Sequence, residues 1–366
     1  MTATEPRIRY AVVGLGHIAQ VAVLPAFKNA RTNSELTALV SQDAEKLKTL
    51  GRKYRAKGYT YEQYEECLHE VDAVYIALPN SMHADYAVRA ANAGVHVLCE
   101  KPMAVTADEC QRMIDACAEA RVKLMIAYRL HFEPANLEVI DLIRSGRIGE
   151  PKFFNSSFSM TVREGDIRGQ RNKGGGTLYD IGVYCINAAR YLFQAEPKEV
   201  MAISVNSGAD NVEQIDESTG GLLRFDGERV AAFVTSFNAT DVASYRIVGT
   251  EGQIHVDPAY EYAEKLAYSL TVDDKTTRKR FGRRDQFGPE LVYFSDCILN
   301  DRNPEPGGEE GMQDVRIVQA LYESAETGKA VQIPPFVPPQ RPSGEQLIER
   351  PPVKEPPQVH AKNPSV

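Results

Sequence analysis

The chain has 366 residues, which exceeds what a single hydrophobic core usually covers, so two domains are expected. Its 43% hydrophobic and 25% charged residues are ordinary for a globular protein and exclude a mostly disordered chain or a coiled coil. The formal net charge of -8 disfavours nucleic acid as a partner, because the chain and a phosphate backbone would repel each other.

The cellular location is predicted from three features that the sequence lacks. No apolar run reaches the length of about 18 residues that a membrane span needs. The start of the chain shows no apolar segment of the kind found in secretory signals. The six cysteines show no C-x-x-C spacing, which favours buried thiols in a reducing compartment over disulfides or zinc. We therefore expect a cytoplasmic protein with no membrane partner and no bound metal.

Short apolar runs alternate with helical segments over residues 1–130. The expected strands are Ile8–Gly14, Glu35–Ser41, Ala73–Leu78, Val95–Cys99 and Lys123–Ala127. The expected helices between them include Ala84–Ala93 and Ala107–Arg121, and Thr106 with Glu109 forms a capping box at the start of the second. This alternation predicts a dinucleotide-binding Rossmann domain, an α/β fold with a doubly wound parallel sheet.

A glycine-rich turn follows the first of these strands. Gly14, Gly16 and Ala19 form the pattern G-x-G-x-x-A between the strand and a helix. Glycines at these positions let backbone N–H groups of the turn, at His17 and Ile18 among others, approach a pyrophosphate at the helix N-terminus. The pattern therefore predicts that this turn binds a dinucleotide.

The end of the second strand indicates which nicotinamide cofactor binds. An NAD site normally has Asp or Glu there, which accepts a hydrogen bond from the ribose 2′-hydroxyl. This chain has Ser41, followed by Lys46 in the first turn of the next helix, and a hydroxyl with an ammonium group suits a 2′-phosphate. The competing acid, Asp43, also fits the N-cap of the helix that begins at Ala44. We therefore expect NADP as the cofactor.

Polar segments also follow the third and fourth strands. The carboxyl ends of parallel strands face the cofactor crevice, so these segments are placed to touch ligand. The residues predicted to do so are Pro79, Asn80, His83, Glu100 and Lys101. Pro102 restricts the backbone of Lys101, and His83 has the alternative of being only the first residue of a helix.

Residues 131–332 have the pattern of a second, α+β domain. Polar and apolar residues alternate along Lys152–Val162, Gly221–Phe225, Arg229–Phe237 and Tyr245–Gly249, with a hairpin signal at Asp226-Gly227. Helices are expected at about Thr177–Phe193 and Gln313–Thr327. We expect a large open, mostly antiparallel sheet with helices on one face.

The first of these helices follows three glycines and has a polar stripe. The stripe consists of Asp180, Tyr184, Asn187 and Tyr191, beside the apolar stripe Ile181, Cys185, Ala188 and Leu192. A polar stripe can simply face water. Two tyrosines and an aspartate directly after three glycines favour an active site instead.

Four arginines are further candidates for binding a substrate. Arg129 closes the last Rossmann strand, and Arg163, Arg168 and Arg171 precede the three glycines, either as hydrogen-bond donors to a substrate or as loop charges.

Residues 333–366 form a proline-rich tail that favours polyproline II. The tail is interpreted either as a disordered extension or as an arm that adds subunit or cofactor contacts.

Five motifs together resemble the glucose–fructose oxidoreductase / inositol dehydrogenase (GFO/IDH/MocA) family over about residues 7–330. They are the glycine turn, Pro79-Asn80-x-x-His83, Glu100-Lys101-Pro102, the segment from Gly174 to Tyr184, and the segment from Gly308 to Arg316. The resemblance implies hydride transfer at a sugar or polyol carbon. It also implies a homodimer or higher homo-oligomer paired through the uncovered face of the second-domain sheet.

Within this family, Ser41 and Lys46 resemble the NADP-dependent glucose–fructose and aldose–aldose oxidoreductase branch. Inositol dehydrogenases have His where this chain has Tyr184, and the aldose branch commonly has Trp where this chain has Ile167. The resemblance implies Tyr184 as the acid–base group, Lys101 as the cation that favours its phenolate, and Asp180 as a ligand of the sugar. Arg129 and Arg168 match positions that bind substrate.

The expected activity is oxidation of a cyclic aldose at C1 to a lactone, with reduction of a second sugar if NADP stays bound. A sugar or trans-dihydrodiol dehydrogenase that releases NADPH each cycle is the enzymatic alternative. A non-catalytic NADP sensor is the alternative from another class, although such a protein has no need of Lys101, Asp180 and Tyr184.

Overall fold

The computed structural model describes residues 6–212 and 214–365, which contain nine helices and fifteen strands. The helices are α1 (Leu24–Ala26, continuing a π-helical turn Ala19–Val23), α2 (Ala44–Tyr54), α3 (Tyr64–Leu68), α4 (His83–Asn92), α5 (Ala107–Ala120), α6 (Pro134–Arg144), α7 (Val183–Phe193, continuing a π-helical turn Leu178–Gly182), α8 (Phe287–Leu299) and α9 (Gly308–Thr327). The strands are β1 (Ile8–Val13), β2 (Ser34–Val40), β3 (Lys57–Tyr59), β4 (Ala73–Ile76), β5 (His96–Glu100), β6 (Leu124–Ala127), β7 (Pro151–Thr161), β8 (Pro197–Val205), β9 (Ser218–Phe225), β10 (Arg229–Ser236), β11 (Asn238–Gly249), β12 (Gly252–Val256), β13 (Ala267–Val272), β14 (Lys275–Arg280) and β15 (Val331–Gln332).

The chain divides into two compact units that are not consecutive in sequence. The first contains residues up to Phe132, Arg284–Met312 and Ile348–Asn363, and the second contains Glu133–Arg283, Gln313–Leu347 and the chain end from Pro364. The expected division into residues 1–130, 131–332 and 333–366 therefore differs from the observed one. The reason is that α8 packs on β1 and β2, where the Ser295 hydroxyl is 2.8 Å from the hydroxyls of both Tyr10 and Ser34.

Six parallel strands form the sheet of the first unit, in the order β3-β2-β1-β4-β5-β6. This is the strand order of a Rossmann fold, which confirms the predicted fold class. The five predicted strands are each found to within two residues at either end. Strand β3 was not expected, because three residues carry too little pattern to identify a strand.

The starts of two helices confirm the predicted caps. The Asp43 carboxylate accepts the backbone N–H groups of Glu45 and Lys46, at 3.0 Å each, and so caps α2. At α5, the Thr106 hydroxyl accepts the N–H of Glu109 at 3.2 Å, and the Glu109 carboxylate accepts the N–H of Thr106 at 3.0 Å.

Nine strands form the sheet of the second unit, in the order β14-β13-β12-β11-β7-β10-β9-β8-β15. All neighbours are antiparallel except β10 and β7, which confirms the expected large, mostly antiparallel sheet. The hairpin predicted at Asp226-Gly227 joins β9 to β10, with Gly227 at a φ of 69°. Alternate residues along these strands are buried on one face and exposed on the other.

The described residues contain no helix that is both long and apolar enough to cross a membrane. All six cysteines lie among the described residues, are buried and form no disulfide.

Candidate functional site

The turn between β1 and the first helix has the shape that a dinucleotide needs. Gly14 has a φ of 92°, and a Cβ there would lie 2.4 Å from the carbonyl oxygen of Ala77, so only glycine fits. At Gly16, by contrast, no atom of the described residues lies within 4 Å of a built Cβ. Open space above exposed backbone at a helix N-terminus fits the approach of a pyrophosphate, and His17 and Ile18 begin that helix.

The carboxyl end of β2 leads to Ser41, which is buried and whose hydroxyl accepts the N–H of Asp43 at 3.2 Å. The N–H of Lys46 and the imidazole of His360 lower the pKa of Asp43. Asp43 is therefore an ionised helix cap, as the sequence suggests, and not an acid left available to a ribose. Lys46 is half-buried, and this burial lowers its pKa.

His83 connects the two loops that follow β4 and β5. The ring is fully buried, and its two nitrogens lie 2.9 Å from the carbonyl oxygens of Leu78 and Pro102. Burial lowers the pKa of His83 despite these bonds. His83 is thus a positioning residue, and the expectation that it touches the cofactor is corrected, because no ring atom is exposed. Pro79, Asn80 and Lys101, which these loops carry, are partly exposed.

Two carboxyl groups of the first unit have raised pKa values, that of Glu100 at the end of β5 and that of Glu290 on α8. Glu100 accepts the hydroxyl of Tyr75 at 2.8 Å, and burial raises its pKa. Glu290 of α8 is 0% exposed, and neither of its oxygens has a hydrogen-bond partner in the part of the chain that the structure describes. Burial, and then the charge of Glu100, raise the pKa of Glu290 well above its usual value. Arg129 is also buried and donates to the side chain of Gln286.

The three glycines of the second unit pack against the segment that carries Arg168. A Cβ at Gly175 would lie 2.3 Å from the carbonyl oxygen of Arg168, and the N–H of Gly176 donates to that same oxygen at 3.0 Å. Gly176 has a φ of 131°, and a Cβ there would meet the Tyr322 hydroxyl at 2.4 Å. A side chain at Gly175 would therefore push the loop away from the segment that carries Arg168.

The guanidinium of Arg168 binds the carboxylate of Asp180, at the start of the helix that follows the three glycines. Its Nε lies 2.7 Å from Oδ2 of Asp180 and its Nη1 lies 3.2 Å from Oδ1 of Asp166. Burial opposes the charge of Arg168, but the two carboxylates outweigh it and raise its pKa above the ordinary value. Tyr184, one turn further along, is partly exposed and packs against the rings of Phe158 and Tyr260, with centroids 5.7 and 5.9 Å apart. The structure thus brings Arg168, Asp180 and Tyr184 into one region.

The rest of the predicted polar stripe is not part of this region. Asn187 is buried and donates to Asp314 at 2.9 Å, and Tyr191 is buried and accepts the side-chain amide of Asn136 at 2.8 Å. The prediction of one functional stripe was therefore wrong for these two residues, which have polar partners inside the core. The apolar stripe of Ile181, Cys185, Ala188 and Leu192 is buried as expected.

Sequence reasoning missed Asp216, which secures the start of the helix. Its carboxylate accepts the backbone N–H and the hydroxyl of Thr177, the hydroxyl of Thr219 at 2.8 Å, and that of Tyr322 at 2.7 Å. These partners are up to 106 residues away in sequence, so no local pattern marks Asp216. Arg163 and Arg171, by contrast, are exposed and bond to backbone carbonyls of Ser365 and Gln214, which fits loop charges.

Two protein-family models match the chain. The model described as "Oxidoreductase family, NAD-binding Rossmann fold" matches residues 8–128, and the GFO/IDH/MocA C-terminal domain matches residues 136–255.

Similar proteins extend the match to most of the chain. A D-xylose 1-dehydrogenase [NADP(+)] of Haloarcula marismortui is 33% identical over 91% of this chain and 95% of its own. The crystal structure of an aldose-aldose oxidoreductase from Caulobacter crescentus, complexed with glycerol, is 36% identical, covers 89% of this chain and 100% of its own, and has a TM-score of 0.85. The 3-ketoreductase KijD10 of Actinomadura kijaniata, in complex with NADP and TDP-benzene, is 26% identical over 87% of this chain and 98% of its own, with a TM-score of 0.80.

Replacing Glu290 by Gln is expected to change how stability depends on pH. Because the pKa of Glu290 is raised on folding, the folded chain holds a proton that the unfolded chain releases, and wild-type stability falls as pH rises above the ordinary value of 4.5. The amide of Glu290→Gln cannot ionise, so the stability difference between this variant and the wild type should shift in favour of the variant, by a margin that widens as the pH rises.

Urea unfolding at acidic and slightly alkaline pH measures this margin. Glu326→Gln, on the exposed side of α9, is the matched control and should show none. A constant difference between Glu290→Gln and wild type at both pH values would contradict the prediction.

Proposed function

This chain belongs to the GFO/IDH/MocA family of oxidoreductases, and we propose that within it the protein is an NADP-dependent aldose oxidoreductase. The observation that carries the proposal is the group formed by Arg168, Asp180 and Tyr184 at the start of one helix. A carboxylate, a phenol and a guanidinium can together hold a sugar hydroxyl and move its proton. The similar proteins named for NADP-dependent xylose oxidation and for aldose–aldose oxidoreduction support a sugar as the substrate.

The first unit supplies the proposed cofactor site. Gly14, Gly16, His17 and Ile18 would hold the pyrophosphate, and Ser41 with Lys46 would hold the 2′-phosphate. Pro79, Asn80, Glu100, Lys101 and Arg129 are the further residues proposed to line this site. When bound, NADP supplies the hydride acceptor for sugar oxidation and, once reduced, the donor for the reverse reaction.

The second unit supplies the proposed acid–base chemistry. As the C1 hydrogen of the aldose leaves as hydride, Tyr184 takes the proton of the C1 hydroxyl, and the C1–O bond becomes the carbonyl of a lactone. Asp180 accepts a hydrogen bond from a neighbouring sugar hydroxyl, and Arg168 holds the carboxylate of Asp180 in place. The family resemblance also implies Lys101, in the first unit, as a catalytic residue that supplies a positive charge. In the reverse direction Tyr184 gives the proton to the carbonyl of an aldose or ketose.

A dehydrogenase that releases NADPH after each turnover is the second candidate, favoured by the similar xylose dehydrogenase. The two candidates differ in whether purified protein carries stoichiometric NADP or depends on NADP that is added.

We also propose that two copies pair through the uncovered face of the second-unit sheet. Apolar side chains on four neighbouring strands are exposed there: Phe153, Met201, Ile203, Leu222, Val230 and Val234. Ile203 is 71% exposed and belongs to this contiguous apolar patch, which is the kind of exposed surface that marks an interaction site. A second copy would cover this face in a two-fold homodimer or a higher homo-oligomer.

Tyr184→Phe is expected to remove most turnover while cofactor affinity stays unchanged. The substitution deletes only the hydroxyl and keeps the ring contacts with Phe158 and Tyr260. Loss of a general acid–base group typically lowers kcat by about 10²–10⁴-fold. Steady-state oxidation of aldoses measures this, with Tyr179→Phe, one turn away and packed on Tyr322, as the control. Near-normal turnover in Tyr184→Phe would show that another group moves the proton.

Lys46→Ala is expected to weaken NADP binding selectively. An ion pair to a partly exposed phosphate contributes roughly 1–3 kcal/mol, so the Kd for NADP should rise about 5- to 150-fold while that for NAD changes little. Calorimetric titration of both cofactors measures the two constants, and Lys48→Ala, exposed on the same helix, is the control. Equal affinity of the wild type for both cofactors would refute the choice of NADP.

Val234→Lys is expected to dissociate the proposed dimer, because pairing would bury an unpaired ammonium. Light scattering at micromolar concentration should report a dimer or larger assembly for the wild type and a monomer for the variant. Leu299→Lys introduces the same charge on an exposed apolar residue of α8, in the other unit, and should leave the assembly intact. A monomeric wild type would refute the interface.

A further inference from the structure

Residues Ile348–Asn363 of the tail belong to the first unit and pass next to the glycine turn. Gln20 is 1% exposed, and its side-chain amide donates to the carbonyl oxygens of both Leu15 and Val359, at 2.9 and 2.8 Å. The side-chain amide oxygen of Gln20 accepts the backbone N–H of Val359 at 2.8 Å. One buried side chain therefore joins the backbone of the tail to the backbone of the glycine turn.

Further contacts fix the tail on either side of this point. His17 lies 2.9 Å from the side-chain oxygen of Gln358. Earlier in the tail, Asn29 donates to the carbonyl oxygen of Pro351 at 2.8 Å and accepts from Arg350 at 3.0 Å. Residues Ile348–Asn363 of the tail are thus an ordered segment of the first unit, which argues against the interpretation of the tail as a disordered extension.

These contacts place His360 beside the residues that follow β2. Its Nδ1 lies 2.8 Å from Oδ2 of Asp43, whose other oxygen caps α2. Asp43 is two residues beyond Ser41, where a Rossmann fold receives the adenosine ribose of its cofactor. His360 has a φ of 44°, so the backbone of the tail turns at this residue.

We propose that His360 is a third residue, with Ser41 and Lys46, that selects the 2′-phosphate of NADP, so that the tail completes the cofactor site. This inference rests on the proposed function, since it assumes NADP as the cofactor.

The charges explain why a histidine is suited to this place. A 2′-phosphate bound here would be repelled by the carboxylate of Asp43, which α2 needs as its cap. In its protonated form, an imidazole bonded to Asp43 carries a positive charge that offsets this repulsion, and its second ring N–H can be donated to a phosphate oxygen. Without His360, Asp43 would be left as an acid at the end of β2, which is the arrangement that favours the 2′-hydroxyl of NAD.

His360→Ala in the full-length chain tests the proposal by binding rather than by activity. Calorimetric titration of the cofactor-free protein should show a Kd for NADP raised by roughly 10- to 100-fold, as for the loss of a hydrogen bond to a charged group. The Kd for NAD should stay the same or fall, because Asp43 becomes available to the ribose. Lys354→Ala removes a cation elsewhere in the tail that makes no hydrogen bond or ion pair within residues 6–212 and 214–365, and both constants should stay unchanged.

Three outcomes would overturn the proposal. If His360→Ala binds NADP as tightly as the wild type does, His360 is not a ligand of the phosphate. If the variant binds both cofactors more tightly, the tail obstructs the site instead of completing it. If the wild type itself shows no preference for NADP, the proposed cofactor fails together with the role of His360, whereas the first two outcomes leave the proposed function intact.

Discussion

The candidate site depends on how closely the three glycines approach the segment that carries Arg168. There is no space for a Cβ at Gly175 or at Gly176, so the backbone of this loop lies directly against its neighbours. That contact allows the guanidinium of Arg168 to reach Asp180 at 2.7 Å. Because Asp180 and Tyr184 share one helix, the position of the loop also determines where the phenol lies.

Buried polar contacts at the start of this helix and further along it also hold it in place. Asp216 receives the first N–H of the helix, and further along Arg190 is paired with Asp314 at 2.6 Å, both fully buried. Removing one partner of such a pair leaves an uncompensated charge in the core, at a cost of about 3–5 kcal/mol. The helix that carries the proposed acid–base residue is therefore held rigidly, as catalysis by a positioned phenol requires.

Features with a local pattern could be predicted from the sequence. The Rossmann strands, the glycine turn, the cap at Asp43 and the helix of residues 177–193 each depend on residues that are neighbours along the chain. Features that depend on distant partners could not be predicted. The packing of α8 on the first unit, the burial of Asn187 against Asp314, and the bonds of Asp216 to Thr177 and Tyr322 and of His360 to Asp43 all join residues more than 30 positions apart. A polar stripe on a helix looks the same in sequence whether its partners are a ligand, water or a buried amide.

The central claim is that a hydride passes from C1 of an aldose to NADP at a site where Tyr184 takes the proton. A single-turnover reaction with an aldose deuterated at C1 tests it most directly, with mass spectrometry of the reduced cofactor and of the sugar product. The account predicts one deuterium in NADPH and an unlabelled lactone. Unlabelled NADPH, or a product that retains deuterium at C1, would contradict it, since oxidation would then occur at another carbon.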